Sequence, residues 1–276
     1  MGHRYPKLLI LMKRTILLFL VIFLFTITAQ AQRWEIGVTA GSMGYIGDLN
    51  QNNYRKFTNF AYGGMVKNNL DGFWSIKLSV LKGQVEADES DSKYQQERDR
   101  NLSFFSPITE ASLQVEFNFF DYGRLFGKSR VTPFLFTGIS GFTFNPQATL
   151  NDKDYELKKY RTEGQEKEYK TSALAIPFGL GLKWNLTTNL NLTGEVGYRK
   201  AFTDYLDDVS GYYPTAGSFS SSDPSQVAIH NALSDRSVGR IGTPGTQRGD
   251  FRKNDTYLFG GVTLSYTFVS QKCYSF

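Results

Sequence analysis

What this 276-residue chain lacks narrows its chemistry first. It has a single cysteine, Cys273, so no internal disulfide can form, even if the chain is exported to a compartment that would permit one. Its two histidines and one cysteine fall in no metal-ligand spacing, and no glycine-rich loop opens a helix to cradle a phosphate. No internal repeat or low-complexity tract interrupts it. Beyond the first 32 residues no run of 18 apolar residues occurs, so a chain of this kind crosses a membrane only as a barrel. Charge asymmetry is missing as well. Arg4, Lys7, Lys13 and Arg14 sit in an N-terminal segment with no acid, and the remainder carries 27 basic against 26 acidic residues. That balance gives no nucleic-acid signal.

The N-terminal segment reads as a secretory signal peptide over residues 1–32. Basic residues precede an apolar run from Thr15 to Ile27, and Ala29-Gln30-Ala31 offers a small-residue cleavage site before Gln32. The domain proper is then 33–276. It is rich in phenylalanine (23), tyrosine (16) and glycine (26), a composition that suits strands.

The clearest pattern runs from Thr171 to Ala201. Leu174, Ile176, Phe178, Leu180, Leu182 and Trp184 share one parity against Ala173, Ala175, Gly179, Gly181 and Lys183. After a turn at Asn185 to Asn189, Leu190, Leu192, Val196 and Tyr198 oppose Asn191, Thr193, Glu195 and Arg199. A period of two over more than ten residues is a long strand, and a tilted strand of about 9–11 residues spans a bilayer. This hairpin alone also fits a soluble lipocalin-like barrel with its apolar parity inward. The segment after Ile108 decides between them. Ala111, Leu113, Val115, Phe117 and Phe119 alternate with Glu110, Ser112, Gln114, Glu116 and Asn118, and a polar set of that kind is wrong for a soluble core and right for a lumen.

Further strands are expected at Trp34 to Ala40, Phe60 to Asn69, from Trp74 through Val80, at Val131 to Phe142 and at Thr256 to Phe268. The segments Gly41 to Asn59, Gly83 to Phe105, Thr143 to Lys170 and Phe202 to Asn254 are expected to be loops. The fold class is therefore all-β: a transmembrane antiparallel up-and-down barrel of about eight strands, with long external loops alternating with short turns. A hairpin hidden in Phe202 to Asn254 would make ten. Lys77, Lys183 and Arg199 against Glu110, Glu116 and Glu195 are expected inside, as a plug of ion pairs.

Chemistry has few candidates. His230 is isolated in a Ser-rich loop four residues before Ser234, which reads as a solvated histidine rather than a Ser-His site. Asp204, Asp207 and Asp208 form an acidic cluster that could hold a divalent ion but more often caps turns or pairs with basic neighbours. No cofactor, catalytic residue, metal ligand or small-molecule substrate is indicated.

Specific phrases then stand out: Gly44-Tyr45-Ile46-Gly47-Asp48-Leu49-Asn50, Arg100-Asn101-Leu102-Ser103-Phe104, Phe144-Asn145-Pro146, Thr162-Glu163-Gly164-Gln165, Pro177-Phe178-Gly179-Leu180-Gly181 and Thr203-Asp204-Tyr205-Leu206-Asp207-Asp208-Val209-Ser210. In this order the chain resembles the PorG-like outer-membrane β-barrel proteins of Bacteroidota, associated with the type IX secretion system. The resemblance implies a non-enzymatic barrel among outer-membrane lipids that contacts a periplasmic ring of a lipoprotein and its partner. Ring contacts would fall to the turns Asp121 to Arg130 and Asn185 to Asn189 and to the tail with Cys273. The phrases themselves lie mostly on segments expected outside, where loops could fold over the lumen. The alternative is a stand-alone structural or surface-binding barrel of the OmpA or OmpX type.

Overall fold

The computed structural model describes residues 33–50, 57, 59–123, 128–237, 239–249, 252 and 254–268. The leader, the tail with Cys273 and residues 124–127 of one turn lie outside the described residues.

Eight long strands follow the alternation of the sequence: β1 (Arg33–Ile46), β2 (Asn59–Asn69), β3 (Trp74–Asp88), β4 (Ser103–Asn118), β5 (Val131–Phe144), β8 (Ser172–Asn185), β9 (Leu190–Ala201) and β10 (Thr256–Phe268). Two short strands, β6 (Gln147–Leu150) and β7 (Lys153–Glu156), form a separate hairpin. Each long strand pairs antiparallel with its sequence neighbour, and β1 pairs β10, Trp34 opposite Phe268, to close an eight-stranded up-and-down barrel. Closure leaves the barrel no unpaired edge.

The strand ends sort into two groups. Arg33, Phe268 and the short connections 70–73, 119–130 and 186–189 lie at one end; the long connections 47–58, 89–102, 145–171 and 202–255 lie at the other. Short-turn chemistry fixes the first end. Asp71 Oδ1 accepts the backbone N–H groups of Phe73 and Trp74, both at 2.7 Å, and Thr187 Oγ1 accepts that of Leu190 at 3.0 Å.

The wall is inverted relative to a soluble protein. Ile139, Leu174 and Leu180 are 65%, 66% and 62% exposed, and similar apolar groups encircle the barrel. Glu116 and Lys183 are buried inside it. An apolar band of that extent marks a surface covered by something other than water. Its lower margin carries Trp34, Trp74 and Trp184, all exposed at the end where the strand termini lie, as an interfacial aromatic belt requires.

Several expected loops are partly strand. β1 runs on to Ile46, β3 to Asp88, and β4 begins at Ser103. Charged residues such as Glu86 and Asp88 exclude hydrocarbon, but they do not exclude strand pairing above it. The expected Thr143 to Lys170 loop yields β5's last residues, the β6–β7 hairpin and a helical turn, Leu157–Tyr160. The extra hairpin thus arises there, joined to the barrel through Phe105 opposite Gln147, whereas Phe202 to Asn254 contributes a helix, Pro224–Ser234, with Asp223 as its N-cap.

Candidate functional site

Two linked regions fill the barrel from end to end. The lower one is a charged lumen. Inward parity places Glu35, Lys67, Lys77, Glu110, Glu116, Lys183, Glu195 and Arg199 inside, four of each sign and all buried. Glu116 is the hub: Lys183 lies 2.6 Å from it, Lys77 3.2 Å and Lys67 3.7 Å. Lys77 also reaches Glu195 at 2.7 Å, and Lys67 reaches Glu35 at 3.0 Å. Higher up, Glu110 accepts the Tyr257 hydroxyl at 2.5 Å and faces Arg199 at 3.5 Å.

Aromatic rings complete the packing. Lys183 stands over Phe134, Lys77 over Phe136 and Arg199 over Phe259, at 4.6, 5.3 and 5.0 Å, an attractive geometry for a desolvated cation. Glycine makes room for those rings. A Cβ at Gly181 would come within 2.6 Å of the Phe134 ring, and one at Gly197 within 2.5 Å of Phe136.

All six charges expected inside are there. Glu35 and Lys67 were missed, and both obey the rule that found the others. Glu35 lies at opposite parity to Trp34 and Ile36, and Lys67 on a strand whose glycines blur the alternation.

The upper region is a cap. Many of its residues come from the phrases singled out above, brought together with others by long-range contacts. Thr162 donates to Asp208 Oδ2, and Tyr169, stacked at 4.5 Å on Tyr205, donates to Asp208 Oδ1 at 2.6 Å. Glu163 Oε1 accepts the backbone N–H groups of Ser210 and Gly211 and faces Arg248 at 3.2 Å. Gly164 takes a φ of +75°, and a Cβ there would press on Ser218. Gln165 turns back to the Glu163 N–H. Thr203 accepts the Asp255 N–H through its carbonyl, and Asp204 accepts the Ser210 hydroxyl. Arg100 pairs with Glu89 and donates to the carbonyls of Asp48 and Arg248. Asn101, at a φ of 55°, donates to the Arg236 carbonyl.

Burial shapes the acids of the cap. It raises the Asp208 carboxyl to about 6 against the opposing pull of Arg248, and it raises Asp207 and Asp255 well above the usual carboxylate range. The acidic cluster is therefore an internal fixture of the cap rather than an exposed trio.

His230 corrects an expectation. It is 3% exposed, stacks on Phe219 at 4.6 Å, and its Nδ1 bonds the Tyr160 carbonyl at 2.6 Å. Burial holds its imidazole below the ordinary value, and because a carbonyl only accepts, Nδ1–H is the donor to Tyr160. A loop histidine looks solvated in sequence because its covering partners, Phe219 and the Leu157–Tyr160 turn, arrive from elsewhere.

These features define a closed eight-stranded barrel with a filled lumen and a mouth sealed by its own loops. The chain belongs to the family described as "Domain of unknown function (DUF6089)", whose model matches residues 13–224. No curated protein matches it. Among solved structures it is similar to the N-terminal β-barrel domain of Pseudomonas aeruginosa OprF, at 11% identity and a TM-score of 0.37 over 87% of this chain and 98% of that one. It is also similar to a major outer membrane protein from Thermus thermophilus, at 13% identity and a TM-score of 0.38 over 87% and 100%. A third is OprG from Pseudomonas aeruginosa, at 11% identity and a TM-score of 0.37 over 87% and 96%.

Proposed function

We propose that this protein is a non-enzymatic barrel of the bacterial outer membrane that anchors a periplasmic assembly. Residues 1–32 would direct its export, and the type IX secretion machinery, with its lipoprotein ring, is the partner that the sequence resemblance implies. One observation carries the reading. Among the described residues the eight buried luminal charges pair with one another and loops pack over the mouth, which supports an anchoring role over the passage of a diffusing substrate. What remains available for a partner is the rim bearing the short turns. There Tyr122 donates to Asn191 at 3.1 Å and Asn189 donates to the Thr267 carbonyl at 2.7 Å, which ties described residues of two short turns to the strand ends.

Affinity purification of the tagged protein from gently solubilised outer membranes, with co-eluting proteins identified by mass spectrometry, tests this. A stoichiometric periplasmic lipoprotein, lost when the tail beyond Phe268 is removed, is the expected result. A barrel recovered alone would turn attention to a second reading, a surface-binding barrel of the OmpA or OmpX type. The well-packed external cap favours that alternative, since a rigid loop surface suits recognition.

A further inference from the structure

At the junction of cap and barrel two carboxylates from distant segments meet at one hydroxyl. Tyr45, next to last in β1, donates to Asp207 Oδ2 at 2.5 Å and lies 3.2 Å from Asp255 Oδ1. The other oxygens are fixed from behind: Asp207 Oδ1 accepts the Val209 N–H at 2.9 Å and Asp255 Oδ2 the Leu206 N–H at 3.0 Å. Both acids are almost wholly buried. One hydroxyl has one hydrogen to give, so two ionised carboxylates around it would face each other across a single proton.

The pair and the acids around it outnumber the bases that act on it among the described residues. From the loop after β1, Asp48 adds a third acid, and Asp204 adds a fourth from the Asp207 segment. Among the described residues, Arg100 and Arg248 are bases that act on Asp207. The hydrogen bonds described for Arg100 go to Glu89 and to the carbonyls of Asp48 and Arg248. Those of Arg248 go to Glu163 and to the carbonyls of Asp208 and Ser234. There is no space to relax either, because even a methyl group at Gly47 would meet Tyr45 Oη at 2.0 Å and Asp255 Oδ1 at 2.5 Å.

We propose that the external cap is a pH-sensitive seal, closed by a proton that Asp207 and Asp255 share beside the Tyr45 hydroxyl and loosened when that proton passes to solvent. The closed cap binds a proton that the opened one, with solvated carboxylates, releases near the ordinary carboxylate value of about 4. Closure is therefore strongest in acid and weakens as pH climbs above that value. The seal covers an apolar layer in the barrel mouth, including Met43, Phe104, Ile108 and Phe142, so release of the cap wets apolar surface that is dry when it is shut.

Hydrogen exchange on the full-length protein in phosphatidylcholine vesicles, read at pH 5 and pH 8, tests this. Peptides covering 204–210 would be compared with peptides of β9 as an internal reference. Cap protection relative to β9 is expected to fall by at least about a hundredfold between the two pH values: Asp208, raised to about 6, accounts for about tenfold, and the shared proton for at least one further unit of linkage. Asp255→Asn, which no longer requires the shared proton, is expected to lose about tenfold less protection than the wild type between pH 5 and pH 8, keeping only the fall that Asp208 brings. A wild-type fall of about tenfold or less, which Asp208 alone explains, overturns the proposal, as does an Asp255→Asn protein that loosens as much as the wild type. Asp207→Asn serves as the second variant. If neither variant folds, the wild-type ratio decides, a fall of no more than about tenfold being what Asp208 alone gives.

Discussion

Thr162 donates its hydroxyl to Asp208, joining two phrases 46 residues apart in the chain. Those phrases stand out in the sequence as separate words, and in the folded protein they are two halves of one clasp. Thr162→Val keeps the shape and removes the donor, leaving a buried carboxylate oxygen short of a partner. Local stability of the cap is expected to drop by about 1–3 kcal/mol, read as faster hydrogen exchange across 203–211 with β9 unchanged.

Arg248 holds the same clasp from the other side, reaching both Glu163 and Asp208. Arg248→Met strands two buried acids, which typically costs about 3–5 kcal/mol. The pH dependence has a definite sign. Burial raises the Asp208 carboxyl to about 6 in the folded cap while Arg248 opposes the rise, so removing Arg248 raises it further. A raised acid is stabilising when protonated, and that stability is lost as pH rises from about 4 through the folded value. The variant cap is expected to be cut by protease faster at pH 8 than at pH 6, by a margin greater than in wild type.

In the lumen, Glu116 answers three lysines. Glu116→Gln leaves Lys183 and Lys67 short of their counter-charge and is expected to destabilise the barrel by about 3–5 kcal/mol. Equilibrium urea unfolding in lipid vesicles would measure the loss. Pairing Glu116→Gln with Lys183→Met should recover part of it, because one uncompensated cation is then gone.

On the outer wall, Leu180 is 62% exposed within the apolar band. In water an exposed leucine can become arginine at little cost. At the level of the hydrocarbon midplane the same change costs about 2–4 kcal/mol. Leu180→Arg is therefore expected to lower stability in vesicles by that amount, and a value near zero would mean that this wall does not face lipid.

Much of the barrel was legible because its strands obey one rule throughout. The polar parity of β4, from Glu110 to Asn118, identified a lumen without any structure. Strand ends were harder to see: Met43, Tyr45 and Ile46 are all buried at the top of β1, on both parities, since loops cover the outside there. Alternation vanishes where both faces are dry, and the sequence then looks like a loop. The cap was legible only as a set of unusual phrases. Asp207 meets Tyr45 across 162 residues and Arg248 meets Glu163 across 85, and no local pattern encodes which distant partner a buried charge will find. The same limit explains His230.

The tryptophan belt has a practical consequence. The chain contains only three tryptophans, and Trp34, Trp74 and Trp184 all stand at the rim bearing the strand termini. Its intrinsic fluorescence is therefore a depth gauge for one leaflet alone, blind to the capped end. Lipids brominated at successive carbons would quench all three together and return a single depth, so that the unlabelled protein reports where its lower edge sits in a membrane.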